Sequence, residues 1–159
     1  MKKQKKISLI VILLAFALML ACQCSLPGIG LPGSDNGFQP GDCESGTEQL
    51  LMNETLQATI NGGSTYETKY VIYCLWVPDG GSSLTIGLRD FNVDLDLYIN
   101  QDYQTLLASD NLGEYYSRES GTTPEEVTIP SAGGRYYIQI FMYDDNSTTG
   151  YTLYNTFTP

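Results

Sequence analysis

From about Glu48 onward the chain is a series of short runs rich in Thr, Tyr, Ile, Val and Leu, each closed by Gly, Asn, Asp or Pro-Asp. This punctuation constrains the fold more than any other feature. β-Branched and aromatic residues suit a pleated surface, and turn signals at about 8 to 12 residue spacing leave no run long enough for packed helices. The runs "ETLQATI", "YETKYVIYCLWV", "SSLTIGL", "NVDLDLYIN", "TLLASD", "EEVTIP", "GRYYIQIFMYD" and "YTLYNTF" are expected strands. No stretch after Cys22 carries a helical period. The expectation is an all-β sandwich or barrel of roughly 110 residues. We read it as an antiparallel β-sandwich of about eight strands, its two sheets burying their facing sides. "VPDGG" and "SAGGR" supply turn chemistry, so each is expected to link neighbouring antiparallel strands.

Side chains alternate across a strand, so parity assigns faces. Val71, Tyr73, Leu75 and Val77 share one parity, as do Leu84, Ile86 and Leu88, then Val93, Leu95, Leu97 and Ile99. These are the expected core. In the penultimate strand Tyr136, Ile138, Ile140 and Met142 alternate with Tyr137, Gln139, Phe141 and Tyr143. Both faces there are partly apolar, which leaves room for a Tyr-rich outer face.

The first 21 residues stand apart. "MKKQKK" followed by "ISLIVILLAFALMLA" is a basic region and an apolar run ending in small residues, the pattern of a secretion signal. The apolar run falls short of the roughly 20 residues that span a bilayer as a helix. It closes on "MLAC", and alanine before cysteine resembles the lipobox of bacterial lipoproteins, although Met19 and Leu20 depart from its usual residues. Cys22 is therefore the expected lipid-bearing residue, anchoring an exported chain to the membrane on the extracytoplasmic side. Residues 22–47, with "SLPGIGLPGSDNGFQPGD", read as anchor and flexible tether, and 48–159 as the folded domain.

Removal of the signal takes four lysines with it. Lys69, Arg89, Arg118 and Arg135 then face 18 acidic residues, a formal net charge of −14. Such a surface repels nucleic acid phosphates and attracts divalent cations and basic partners. With Cys22 acylated, Cys24, Cys43 and Cys74 remain in an oxidising exterior where disulfides persist. Cys43 with Cys74 is the preferred pair, and Cys24 has no assigned partner.

The stretches "YVIYCLWVPDGGSSLTIGL", "VDLDLYI" and "EEVTIPSAGGRYYIQIFMYDDNSTTGYTLYN" resemble, in order and spacing, a bacterial pre-peptidase C-terminal domain over about residues 48–157. Arg135, between the glycines and the tyrosine pair, departs from that family's pattern, and Cys74 and Trp76 enrich the first strand. The resemblance implies a jelly-roll-like sandwich. It also implies a non-catalytic module of the kind appended to secreted enzymes, similar to the collagen-binding domains of clostridial collagenases, some of which bind calcium. Here the domain follows a lipoprotein-like signal instead of a peptidase.

Candidate sites follow from the residue inventory. The chain has no histidine, so Ser-His-Asp and Cys-His catalysis is excluded. Three cysteines spaced 19 and 31 residues apart fit no closed zinc pattern. A glycosidase pair must flank its scissile bond, whereas Asp94 and Asp96 point the same way from one strand. Calcium is the better prospect, because Asp90, Asp94 and Asp96 share a parity and Ca²⁺ takes six to eight oxygens in flexible geometry. The competing reading makes Asp94 and Asp96 solvated or loop-capping carboxylates. "YDDNSTTGY" has the composition of a hairpin loop. Among twelve tyrosines, Tyr115, Tyr116, Tyr137 and Tyr143 are the expected exposed contact residues. The leading expectation is a non-catalytic, surface-tethered module that binds an extracellular protein or polysaccharide. A calcium-stabilised structural module and a carboxylate-based glycoside hydrolase are the alternatives.

Overall fold

The computed structural model of the chain describes residues 43–108 and 113–159. The expected signal, Cys22, Cys24 and nearly all of the tether lie outside the described residues. Nine strands occur among the described residues: β1 Glu48–Leu50, β2 Thr55–Asn61, β3 Tyr70–Val77, β4 Ser83–Arg89, β5 Leu95–Asn100, β6 Tyr115–Ser117, β7 Glu125–Pro130, β8 Gly134–Met142 and β9 Thr148–Thr158. They form two sheets, one in the order β1-β3-β8-β5-β6 and the other β2-β9-β4-β7. All pairings are antiparallel except β1 with β3. This is the expected β-sandwich.

The parity reading holds for the inner faces. Tyr73, Leu75, Val77, Leu84, Ile86, Leu88, Leu95, Leu97, Ile99, Tyr136, Ile138, Ile140 and Met142 form one buried core, with Val71 and Val93 packed against it. Tyr73 and Tyr151 meet hydroxyl to hydroxyl at 2.6 Å inside this core, so each buried phenol has a partner.

The connections depart from expectation. Every link between successive strands except β5 to β6 passes from one sheet to the other. "VPDGG" carries the chain from β3 to β4 and "SAGGR" from β7 to β8, so both are arches between sheets and not hairpins. Residues 143–147, from "YDDNSTTGY", also turn between sheets, with Asn146 at φ 58°. Glycine and Pro-Asp set local dihedrals, and those dihedrals do not say which sheet receives the next strand. Packing shows why glycines stand here. A Cβ on Gly133 would lie 2.7 Å from Asp79 Oδ1, and one on Gly81 would lie 2.1 Å from the Phe157 ring.

Two segments differ from the expected element. "TLLASD" is not a strand: Tyr103–Leu107 form a short helix, α1. Asp102 caps it, accepting the Gln104 N–H at 3.0 Å and the Thr105 hydroxyl at 2.9 Å, and this local bonding favours a helical turn over an extended run. Tyr66–Thr68, at the head of "YETKYVIYCLWV", form a 3₁₀ turn, and the strand starts at Tyr70. The three-residue strands β1 and β6 are too short to carry a period.

α1 lies on the outer face of the five-stranded sheet and makes a second, smaller core there. Ile72, Cys74, Tyr98, Leu106 and Tyr137 are buried in it, with Cys43, Tyr70, Tyr103 and Phe141 packed at its margin. Gln139 Nε2 donates to the Leu106 carbonyl at 3.1 Å, which gives a buried amide its partner. The expected Cys43–Cys74 disulfide is present, joining this cluster to the segment before β1 with Cα atoms 6.0 Å apart. It closes a loop of 31 residues. On the chain-entropy account, replacing both cysteines by alanine should therefore lower the unfolding free energy by about 3 to 4 kcal/mol. Urea denaturation of the double variant beside the parent checks this, and an unchanged midpoint would assign the bridge no stabilising role.

Candidate binding surface

Asp94 lies just before β5 and Asp96 within it. Together with Arg118, Glu119, Ser120 and Tyr143 they line an open depression of about 280 Å³. Asp94 Oδ1 accepts the Gly121 N–H at 2.7 Å, and its carbonyl accepts the Tyr143 N–H at 3.3 Å. Asp94 thus caps the β6–β7 connection while its backbone holds the end of β8. The loop-capping reading describes this residue well.

Asp96 is a different group, since only 3% of its surface is exposed. Tyr98 Oη donates to its Oδ2 at 2.7 Å. The Tyr98 and Tyr143 hydroxyls stand 3.4 Å from one another. Burial pushes the Asp96 carboxyl above its ordinary range. The Tyr98 and Tyr143 hydroxyls oppose that shift, the Asp94 charge adds to it, and Arg118 opposes it. Tyr98 and Tyr143 are pushed upward too, first by burial.

Behind the depression lies a second buried carboxyl, Glu125, with no exposed surface. Its Oε1 accepts the Glu119 N–H at 2.7 Å, and among the described residues Oε2 has no hydrogen-bond partner. Burial raises this group also, opposed by Ser117 and the Glu119 amide and reinforced by the Asp96 and Glu119 charges. The sequence reading missed Glu125. The signal was there, because Glu125, Val127 and Ile129 share one parity and all three are buried, so the acid stands in phase with core positions.

The structure brings Asp94 and Asp96 together but leaves Asp90 apart. Asp90, at φ 62° after β4, borders another depression lined by Gln57, Ala58, Thr59, Gly150, Tyr151 and Thr152. Shared parity placed the three aspartates on one face, but β5 starts only at Leu95, so the strand geometry does not extend to Asp90 and Asp94. Among the described residues no group of three or more His, Cys, Asp or Glu side chains is placed to hold a metal ion.

The tyrosines divide. Tyr116 is 50% exposed, with the Arg118 guanidinium 5.0 Å from its ring centre, and Tyr143 is 47% exposed. Tyr115 is half-buried against the main core. Tyr137 corrects the expectation: it is 1% exposed, covered by α1, and its ring lies 5.2 Å from that of Tyr103. Reading "TLLASD" as a strand hid the element that buries it.

Tyr143 also ends a row of rings. It packs edge-on against Phe141 at 5.0 Å, Phe141 lies 5.4 Å from Tyr66, and Tyr66 lies 5.4 Å from Tyr70. Lys69 steadies this edge by donating to the Tyr143 carbonyl at 3.1 Å and pairing with Asp145. The result is an aromatic ridge that runs into an acidic recess, with Tyr143 shared by both.

The two raised carboxyls make stability depend on pH. A carboxyl whose folded pKa is raised stabilises fully below its unfolded value, here 3.8 for Asp96 and 4.5 for Glu125, and that stability is lost as pH rises through the folded value. Glu125→Gln keeps an oxygen for the Glu119 amide and cannot ionise. Its melting temperature relative to the parent should therefore climb between pH 4.5 and 8, by about 4 °C or more for each kcal/mol. Parallel melting curves across that range would contradict the assignment.

No protein-family model and no curated protein matches this chain. Among solved structures, the pre-peptidase C-terminal domain of a collagenase from Bacillus anthracis is 18% identical, with a TM-score of 0.50 over 69% of this chain and 94% of that one. The Aeromonas hydrophila protein PliG, a periplasmic inhibitor of g-type lysozyme, is 10% identical, with a TM-score of 0.48 over 70% of this chain and 97% of that one. The first likeness concerns fold, and it agrees with the motif order: the domain has a pre-peptidase C-terminal-like β-sandwich fold.

Proposed function

We propose that this chain is a non-catalytic binding module, exported and tethered to the extracytoplasmic side of a membrane through acylated Cys22. Its ridge and recess around Tyr143 contact an extracellular protein that presents basic side chains. One observation carries this reading: Tyr143, half-exposed, joins an aromatic row to a recess lined by Asp94, Asp96, Glu119 and Arg118, where three acidic side chains stand against one basic one. An aromatic face beside carboxylates suits a Lys or Arg side chain, which gains cation–π and ionic attraction together.

A polysaccharide is served less well. Stacking on sugar rings needs aromatic faces that lie flat and open, whereas these rings tilt against one another by 35° to 74°. Catalysis finds no support, since the chain lacks histidine and Asp94 and Asp96 are engaged as a loop cap and a buried phenol acceptor. The same engagement, with Asp90 lining a different depression, weighs against a calcium-stabilised module.

Peptides selected by display against the full-length protein should be enriched in Lys and Arg. Tyr143→Ala should weaken the selected peptides about ten-fold, about 1.4 kcal/mol, whereas Tyr116→Ala leaves them unchanged. Selected peptides without basic residues, or turnover of a polysaccharide by the protein, would contradict the reading. The anchor has its own test: Cys22→Ser should abolish metabolic fatty-acid labelling, and labelling that survives would remove Cys22 from that role.

A further inference from the structure

A β-sandwich has four sheet edges, and an open edge with unpaired N–H and C=O groups recruits another strand unless it is short, charged or interrupted by proline. Three edges here are protected in those ways. β1 and β6 have three residues each, and β1 contains Glu48. β7 begins with Glu125 and Glu126 and ends on Pro130.

The fourth edge is not protected. β2, "TLQATIN", runs for seven residues without a charge, a proline or a glycine, and among the described residues its one hydrogen-bonded neighbour is β9. Its chemistry is also nearly palindromic about Ala58. An antiparallel pair centred there would set Thr55 against Asn61, Leu56 against Ile60 and Gln57 against Thr59 of the other strand. Leu56, Ala58 and Ile60 face the core, so the Leu56–Ile60 pairs would carry the core across the seam. The alternate positions are exposed and polar, and small Ala58 meets its own copy at the axis, where directly opposed Cβ atoms approach to about 5 Å.

Charge decides the occupant. On a chain with a formal net charge of −10 before signal removal, most self-contacts oppose acid to acid. In the β2 pairing, the nearest acid along the strand, Glu54, falls opposite Gly62 of the other copy, and Asp90 borders the depression lined by Gln57, Ala58 and Thr59. The chain's own tether is a poor competitor for the edge, because Pro27, Pro32 and Pro40 interrupt it and proline cannot donate to a ladder.

We infer that β2 is a self-pairing edge, through which two copies of this chain join their four-stranded sheets into one eight-stranded sheet about a two-fold axis at Ala58. The test uses the full-length chain in the membranes of the cells that express it. Oxidised Ala58→Cys should give a cross-linked dimer that the parent, with its native cysteines alone, does not give. Adding Gln57→Glu with Thr59→Glu sets like charges opposite each other and should reduce that cross-link at least ten-fold. Gln57→Lys with Thr59→Glu sets opposite charges against each other and should restore it. Both pairs change exposed positions, and circular dichroism should show each variant folded. An Ala58→Cys thiol that stays monomeric, cross-links within its own chain or to another protein, or forms dimers indifferent to the charge pairs would overturn the inference.

Discussion

The central strands of the five-stranded sheet are buried on both sides, and the rest of the structure depends on this. β8 lies between β3 and β5, its inner residues in the main core and its outer residues beneath α1 and the disulfide-linked segment. A strand in that position has no solvent to satisfy its polar side chains, and an unpartnered buried polar group costs about 1 to 3 kcal/mol. A polar residue on the outer face is therefore stabilised by any partner it finds inside the protein. Gln139 finds the Leu106 carbonyl and Asp96 finds the Tyr98 hydroxyl, while the buried Tyr137 hydroxyl has no hydrogen-bond partner among the described residues.

The second of these solutions shapes the candidate surface. Asp96 belongs to a strand, so its bond orients the Tyr98 phenol, whose hydroxyl in turn stands 3.4 Å from that of Tyr143. Tyr143 lies just beyond the end of β8 and is held by the Tyr98 hydroxyl, by its amide on the Asp94 carbonyl and by Lys69 on its own carbonyl. A buried carboxyl that is costly to the fold thereby helps, through Tyr98, to keep an exposed aromatic ring in place. Preorganisation of this kind lowers the entropic cost of binding.

Much of this was legible from alternation. The inner faces of β3, β4, β5 and β8 follow from a period of two because each meets a continuous apolar layer. The disulfide followed from a short list of cysteines. Alternation failed where a second layer covers the sheet. Tyr137 and Asp96 sit at positions that look solvent-facing, but α1, whose five residues carry no readable helical period, covers Tyr137, and Asp96 is buried beside Tyr98. Turn composition was equally silent about destination, so the arches at Gly81 and Gly133 passed for hairpins. Asp90 and Asp94 kept the right parity but lie outside the strand that would give parity a meaning.

Residue-resolved amide hydrogen exchange tests two-sided burial most directly, because amides shielded on both faces open only with the whole domain. Leu97, Ile99, Ile138 and Ile140 should exchange at the free energy of global unfolding, with the outer-face neighbours Tyr98 and Gln139 as slow as they are. If Tyr98 and Gln139 exchanged through local opening well below the global value, the outer face would be open and the account of how Tyr143 is held would be contradicted.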